Sequence, residues 1–287
     1  MANLKEIRNR ISSVESTMQI TSAMKMVSAA KLKRAQDAIV QLRPYADKLT
    51  EMLVNLSASL DSADGNDFSK EREVKNILFV SITSNRGLCG GFNSNIIKQT
   101  TSLINNDYKH CNTAIISVGK KSSEYFSKNG FNIISSHDDL YNGITFEGVA
   151  KITENIMNDF IQGKYDKVIL MYNQFKNAAT QIVMKENYLP VQTLNDENAS
   201  IGDYIFEPSK EEIVQELIPK SLKTQLFKAI LDSHASEHGA RMTAMHKATD
   251  NANDLKDDLT LFYNKARQAA ITAEILEIVG GAEALNG

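Results

Sequence analysis

A chain of 287 residues with a formal net charge of −3 lacks the excess of Lys and Arg that phosphate neutralisation demands, so nucleic acid is not an expected partner. Tryptophan is absent, prolines number only four and 42% of the residues are hydrophobic, a balance that favours long helices over a β-sandwich. Cys89 and Cys111 are too few for a disulfide framework or a zinc site and read as reduced thiols.

No run reaches the roughly eighteen uninterrupted apolar residues of a membrane span, so membrane association is expected only through partners. The opening MANLKEIRNRI enters a charged amphipathic pattern at once, without a secretory or transit signature, so the chain is expected to be made and used in a cytoplasm.

Alternate steps of three and four from Leu4 land on Ile7, Ile11, Val14, Met18, Thr21, Lys25, Ser28, Leu32, Ala35, Ile39, Leu42, Ala46, Leu49, Leu53, Leu56 and Leu60. This heptad seam predicts one helix over residues 1–60, ~85 Å long at helical rise, with a local bend at Pro44. Such a stripe needs a partner helix to bury it. The seam turns polar at Thr21, Lys25 and Ser28, which either weakens pairing there or marks a contact with something else.

A polar stretch, 61–73, reads as a linker. Buried strands are expected from Val74, Thr113, Phe131 and Lys167, separated by helical patterns near 93–107, 120–129 and 145–162. That alternation predicts a Rossmann-like doubly wound parallel sheet over 74–192, with TQIVMKENYLPV as an added strand, followed by a connecting loop at 193–208.

The last segment, 209–287, predicts a second helix of up to ~110 Å, with Ser209 as N-cap and an early kink at Pro219. Its seam reads Met245, Ala248, Ala252, Leu255, Leu259, Phe262, Ala266, Ala269, Ala273 and Leu276. Two seams at opposite chain ends pair most simply as an antiparallel coiled coil. The second helix is the longer, so its end should project alone. That end is apolar almost all round at Ala269, Ala270, Ile271, Ile275, Leu276, Ile278 and Val279, a distribution normally found only in buried helices. A projecting helix can be buried only by other chains.

Three motifs suggest chemistry. The turn SNRGLCGGFN carries three glycines between strand and helix, but its spacing matches neither dinucleotide nor P-loop fingerprints, so it reads as a tight turn. His234, Glu237 and His238 form HxxEH, yet further ligands such as Glu274, Glu277 or Glu283 lie tens of ångströms away along the same helix; these histidines are expected to face solvent or the seam, and no metal or other cofactor is expected. Lys25, Lys31, Lys33 and Arg34 make a basic stretch that could be a solvated face or a track for acidic loops. Asp250, Asp254, Asp257 and Asp258 lie on one exposed helix without an enclosed cleft, so no catalytic residue is assigned.

The segments IRNRISSVESTMQITSAMKMVSAAKLKRAQ, RGLCGGFN and SEHGARMTAMHKATDNANDLKDDLTLFYNKARQAAITAEILEIVGGAEAL closely resemble the gamma subunit family of F-type ATP synthase, end to end. Asn85 stands where that family usually has Asp, and Gly239 where it usually has Ala. The resemblance implies a central rotor shaft without a catalytic site, coupling proton-driven rotation of a membrane ring to ATP synthesis. It implies alpha and beta subunits around the coiled coil, an epsilon subunit on the Rossmann-like domain, and a peripheral position on the cytoplasmic side of the bacterial inner membrane. Arg267, Gln268 and Thr272 would meet a loop of one beta subunit, with Met24 and Lys25 near another part of beta. Ile275, Leu276, Ile278, Val279 and Leu285 would sit in an apical bearing, and Tyr204, Phe206 and Glu207 would face the ring. Two other readings are a coiled-coil scaffold that carries no torque and a nucleotide-binding α/β enzyme using the RGLCGG turn.

Overall fold

The computed structural model describes residues 4–58, 67–191 and 210–286. Its elements are α1 (Leu4–Ala58), β1 (Asn76–Ile82), α2 (Phe92–Ser102), β2 (Asn112–Val118), α3 (Lys120–Lys128), β3 (Ile133–Ser136), α4 (Phe146–Ile161), β4 (Lys167–Phe175), β5 (Gln181–Leu189) and α5 (Lys210–Asn286). The chain divides into two compact units, residues 1–28 with 242–287, and residues 29–241. Both long helices contribute to both units.

In the larger unit five strands lie in the order β3-β2-β1-β4-β5. β1, β2, β3 and β4 run parallel, and the added strand expected from TQIVMKENYLPV is β5, which returns antiparallel along β4. β1 shows how the sequence builds layers, because strand side chains alternate between faces. Leu78, Val80 and Ile82 join Ile152, Ile156 and Phe160 of α4 and Leu222, Leu226 and Ile230 of α5. Ile77 and Phe79 join Ile96 and Ile97 of α2 and Phe126 of α3. The first part of α5 is therefore a layer over the sheet as well as a strand of the coiled coil. The Tyr188 hydroxyl, buried under it, donates to the Leu222 carbonyl at 2.8 Å. Along α1 in this unit, Leu32, Ala35, Ile39, Ala46 and Leu49 are buried on the expected seam.

In the smaller unit, Arg8 donates to the Tyr263 hydroxyl at 2.6 Å, Glu15 pairs with Lys256 at 3.0 Å, and the Thr21 and Thr249 hydroxyls meet at 2.8 Å. As the α1 number rises its α5 partner falls, so the helices are antiparallel. Every expected α1 seam position from Leu4 to Ser28 is buried or half-buried. The polar seam residue Thr21 is buried because a second hydroxyl satisfies it, so it does not weaken the pairing.

The α5 seam differs from expectation. Ala252, Leu259 and Ala266 face inward, but the alternate positions are Thr249, Lys256 and Tyr263, one residue beyond Ala248, Leu255 and Phe262. The cause is polar: these three residues hold the bonds to Thr21, Glu15 and Arg8, and an apolar count passes over them. Leu255 and Phe262 are consequently exposed. The expected loop 193–208, Ser209, Leu60 and residues 61–66 of the linker lie outside the described residues, as do the side chains of Leu53 and Leu56.

Candidate functional site

From Ile271 to Ala284 every residue of α5 is exposed. Ile275 is 54% exposed, Leu276 67%, Ile278 67% and Val279 55%, although a helix with this composition is stable in water only where a neighbour covers it. Burying four such side chains from this state is worth on the order of 5 kcal/mol. Leu285 continues the same helix, and its side chain lies outside the described set. Further down, Leu255, Leu261 and Phe262 of α5 and Ile20, Met26 and Val27 of α1 are also uncovered. The α1 residues of this surface went unremarked in the sequence because they sit between seam positions, where isolated apolar residues carry no periodic signal.

Arg267 and Gln268 are exposed on α5, and the Thr272 hydroxyl donates to the Gln268 carbonyl at 2.9 Å, one turn on. These three share one helical surface. Met24 and Lys25 are half-buried on α1, three and four residues past the Thr21–Thr249 pair. In the antiparallel register that places them roughly 30 Å along the coiled coil from Arg267. The candidate residues thus fall at two heights and form no single cleft. In the basic stretch, Lys31, Lys33 and Arg34 are exposed and Lys33 pairs with Asp37 at 3.0 Å. Asp250, Asp254, Asp257 and Asp258 are all exposed. Tyr204, Phe206 and Glu207 lie outside the described residues.

The histidines are a correction. His238 is buried and His234 half-buried within the larger unit, facing neither solvent nor the helix seam alone. Arg241 Nη1 donates to Glu237 Oε1 at 2.6 Å and approaches His238 Nδ1 at 3.4 Å, and the two imidazoles meet at 3.1 Å through Nε2. An arginine can only donate, so His238 Nδ1 accepts and its Nε2–H points to His234. Both rings are neutral in this chain of bonds. Burial, aided by Lys31 and Arg241, holds His234 down to about 4; burial, then His234, Arg241 and Lys31, hold His238 down to about 3. Burial pushes the Glu237 carboxyl up against the pull of Arg241. Arg241 Nη2 also donates to the Arg86 carbonyl at 3.0 Å and the Gly87 carbonyl at 3.3 Å.

The glycine turn therefore sets the Arg86 and Gly87 carbonyls against a cation, the Arg241 guanidinium. A cation suits it and a phosphate does not. Its tightness comes from positive φ at Leu88 (63°) and Gly90 (58°). Asn85, at its start, accepts from Lys120 N at 2.9 Å and donates to the Asp138 carbonyl at 2.7 Å, tying two strand ends together. Among the described residues no group of three His, Cys, Asp or Glu side chains is placed to hold a metal. No helix among them is long and apolar enough to cross a membrane.

Two wound helices with uncovered apolar faces define a coiled-coil subunit of a larger assembly. A family model described as ATP synthase matches residues 3–285. Proteins described as ATP synthase gamma chain from Flavobacterium johnsoniae and Christiangramia forsetii are 64% and 61% identical, each covering 100% of both chains. A chain of the central stalk and c-ring of Tetrahymena thermophila mitochondrial ATP synthase superposes with a TM-score of 0.61 at 30% identity, over 80% of this chain and 99% of that one. A chain from the Euglena gracilis mitochondrial enzyme shares the fold at a TM-score of 0.70 and 23% identity, over 98% and 94%. The chain belongs to the ATP synthase gamma chain family and is the central rotor shaft of an F-type ATP synthase.

Proposed function

We propose that this shaft transmits torque without chemistry of its own, turning inside a ring of alpha and beta subunits whose nucleotide sites it biases. The observation that carries the reading is the bare apolar end of α5, Ile271 to Val279, which only surrounding chains can cover. Ile275, Leu276, Ile278, Val279 and Leu285 form the end that turns in the apical bearing. Arg267 and Gln268, exposed and adjacent to Thr272, offer a planar donor fork and an amide to a beta-subunit loop. Met24 and Lys25 serve a second contact lower on the coiled coil.

The two helices expose unlike apolar side chains, Leu255 and Phe262 on one and Ile20 and Val27 on the other. Each beta subunit therefore meets a different face, and only such differential contact can hold three sites at three affinities. Rotation exchanges the faces. The segment with Tyr204, Phe206 and Glu207 addresses the membrane ring, and the α/β body takes the epsilon subunit. Proton flow supplies the drive, and the subunit is a peripheral membrane protein on the cytoplasmic side of the bacterial inner membrane. The test is Arg267→Ala with Gln268→Ala in the assembled enzyme: coupled ATP turnover falls severalfold if each lost contact is worth about 1 kcal/mol, and unchanged synthesis and torque would refute the assignment.

A further inference from the structure

In open sheets of this kind, ligands take the crevice beyond the carboxyl ends of the strands, where the strand order reverses. Here the reversal lies between β1 and β4, since β2 and β3 were added on one side of β1 and β4 on the other. The chain fills that crevice itself. One stretch of α5 enters it: Ser236 Oγ donates to the Asn173 carbonyl of β4 at 3.0 Å, and Ala240 packs with Cys89 and Phe92. Asn173 in turn donates to the Phe92 carbonyl at 3.1 Å, joining β4 to the start of α2. Gly239 comes so close to the β4–β5 hairpin that a Cβ there would stand 3.2 Å from Ala178 Cα and its carbonyl oxygen. Arg241 closes the seat, held by Glu237 and reaching the carbonyls of Arg86 and Gly87.

The bonding is what a loaded joint requires. Arg241, Glu237, Ser236 and Asn173 are all buried, so water does not compete for their bonds. The guanidinium binds two backbone carbonyls besides the Glu237 and His238 side chains, so its fork engages four acceptors at once, which resists rotation as a single point charge would not. α5 continues past Arg241 as an unbroken helix to Asn286.

We propose that residues 236–241 of α5, seated in the strand-reversal crevice and closed by Arg241 on the glycine turn, form the torque joint by which the α/β body grips α5. The site that binds a small molecule in other sheets of this type here binds the protein's own helix, and Arg241 is a positioning residue for energy coupling. The proposal rests on the rotor reading.

The test uses the complete membrane-bound enzyme carrying Arg241→Lys or Arg241→Gln, with Ile156→Val in the α4 core as a control for stability loss alone. Two quantities are read: protons pumped per ATP hydrolysed, and amide exchange of residues 86–91. The joint requires the pumping ratio to fall in both Arg241 variants, more in Gln than in Lys, with exchange of the turn accelerated by about tenfold or more. The control should keep its pumping ratio at whatever melting temperature it shows. Should the Arg241 replacements fail to assemble, Glu237→Gln, which leaves an amide oxygen for Arg241, is read by the same two measurements with smaller shifts in the same direction. Wild-type pumping ratio and exchange in the assembled variants would overturn the joint while leaving rotation intact; absence of rotation in the unmodified enzyme would instead overturn the rotor reading beneath it.

Discussion

Acid should loosen the seat of α5 before it unfolds the sheet, and His234 and His238 set the size of the effect. Both rings are held well below the ordinary histidine value of 6.5, to about 4 and about 3, so the unfolded chain binds protons that the folded chain refuses. Stability contributed this way is intact above pH 6.5 and lost as pH falls below it. Between about pH 7.5 and about pH 5 each ring costs about 2 kcal/mol, and because they share one hydrogen bond the sum of about 4 kcal/mol is an upper bound.

Several charged or titratable groups face the pair. Lys31 approaches from α1, Tyr141 stacks on His234 from the segment after β3, and Glu237 and Arg241 lie on α5 itself. Asp232, one turn earlier on α5, works in the opposite direction. Burial pushes its carboxyl up to about 6, so the same acidification returns about 1 kcal/mol. A net loss of roughly 2–3 kcal/mol should appear in urea midpoints of the wild-type chain and be largely absent from a His234→Gln, His238→Gln variant. Parallel pH profiles for the two proteins would refute the neutral, buried assignment.

Other expectations follow from single contacts. Asp232 is buried with neither carboxyl oxygen bonded, so Asp232→Asn should stabilise the chain by up to about 3 kcal/mol near neutral pH, with the gain vanishing below about pH 4 in the same denaturation assay. Asn85→Asp keeps the bond from Lys120 N but sets a carboxylate against the Asp138 carbonyl; a loss of about 1–2 kcal/mol is expected at neutral pH, recovered where the acid is protonated and can donate. Gly239→Ala gains about 1 kcal/mol of helix propensity and must move Ala178, in the exposed hairpin, by a few tenths of an ångström; a net gain of about 0.5 kcal/mol in melting experiments is expected. Replacing Ile275 and Leu276 by Ser should leave the melting of the isolated chain within about 0.5 kcal/mol while weakening its assembly, because both side chains are largely exposed in the chain alone.

The α1 seam was legible residue by residue from Leu4 to Leu49, since Ile7, Leu32 and Ile39 are apolar at the spacing the geometry demands. So were the strands, β5 as an added one though not its antiparallel direction, and the bare end of α5. The α5 seam was legible only at alternate positions: Thr249, Lys256 and Tyr263 pack through specific bonds to α1, and a polar residue announces a partner only once that partner is known. The seat of α5 was not legible at all. Arg241 and Arg86 are 155 positions apart, and Ser236, Gly239 and Arg241 carry no motif until the sheet places Asn173 and the glycine turn opposite them. The HxxEH pattern pointed to the right residues for a wrong reason, because spacing on one helix says nothing of what packs against it.

The most direct measurement is single-molecule rotation of the assembled enzyme. A probe attached through Lys128→Cys, exposed at the end of α3, would be followed while immobilised alpha and beta subunits hydrolyse ATP. A rotor shaft predicts continuous rotation in one direction that stops when ATP is withdrawn. Steady hydrolysis with the probe stationary would contradict it.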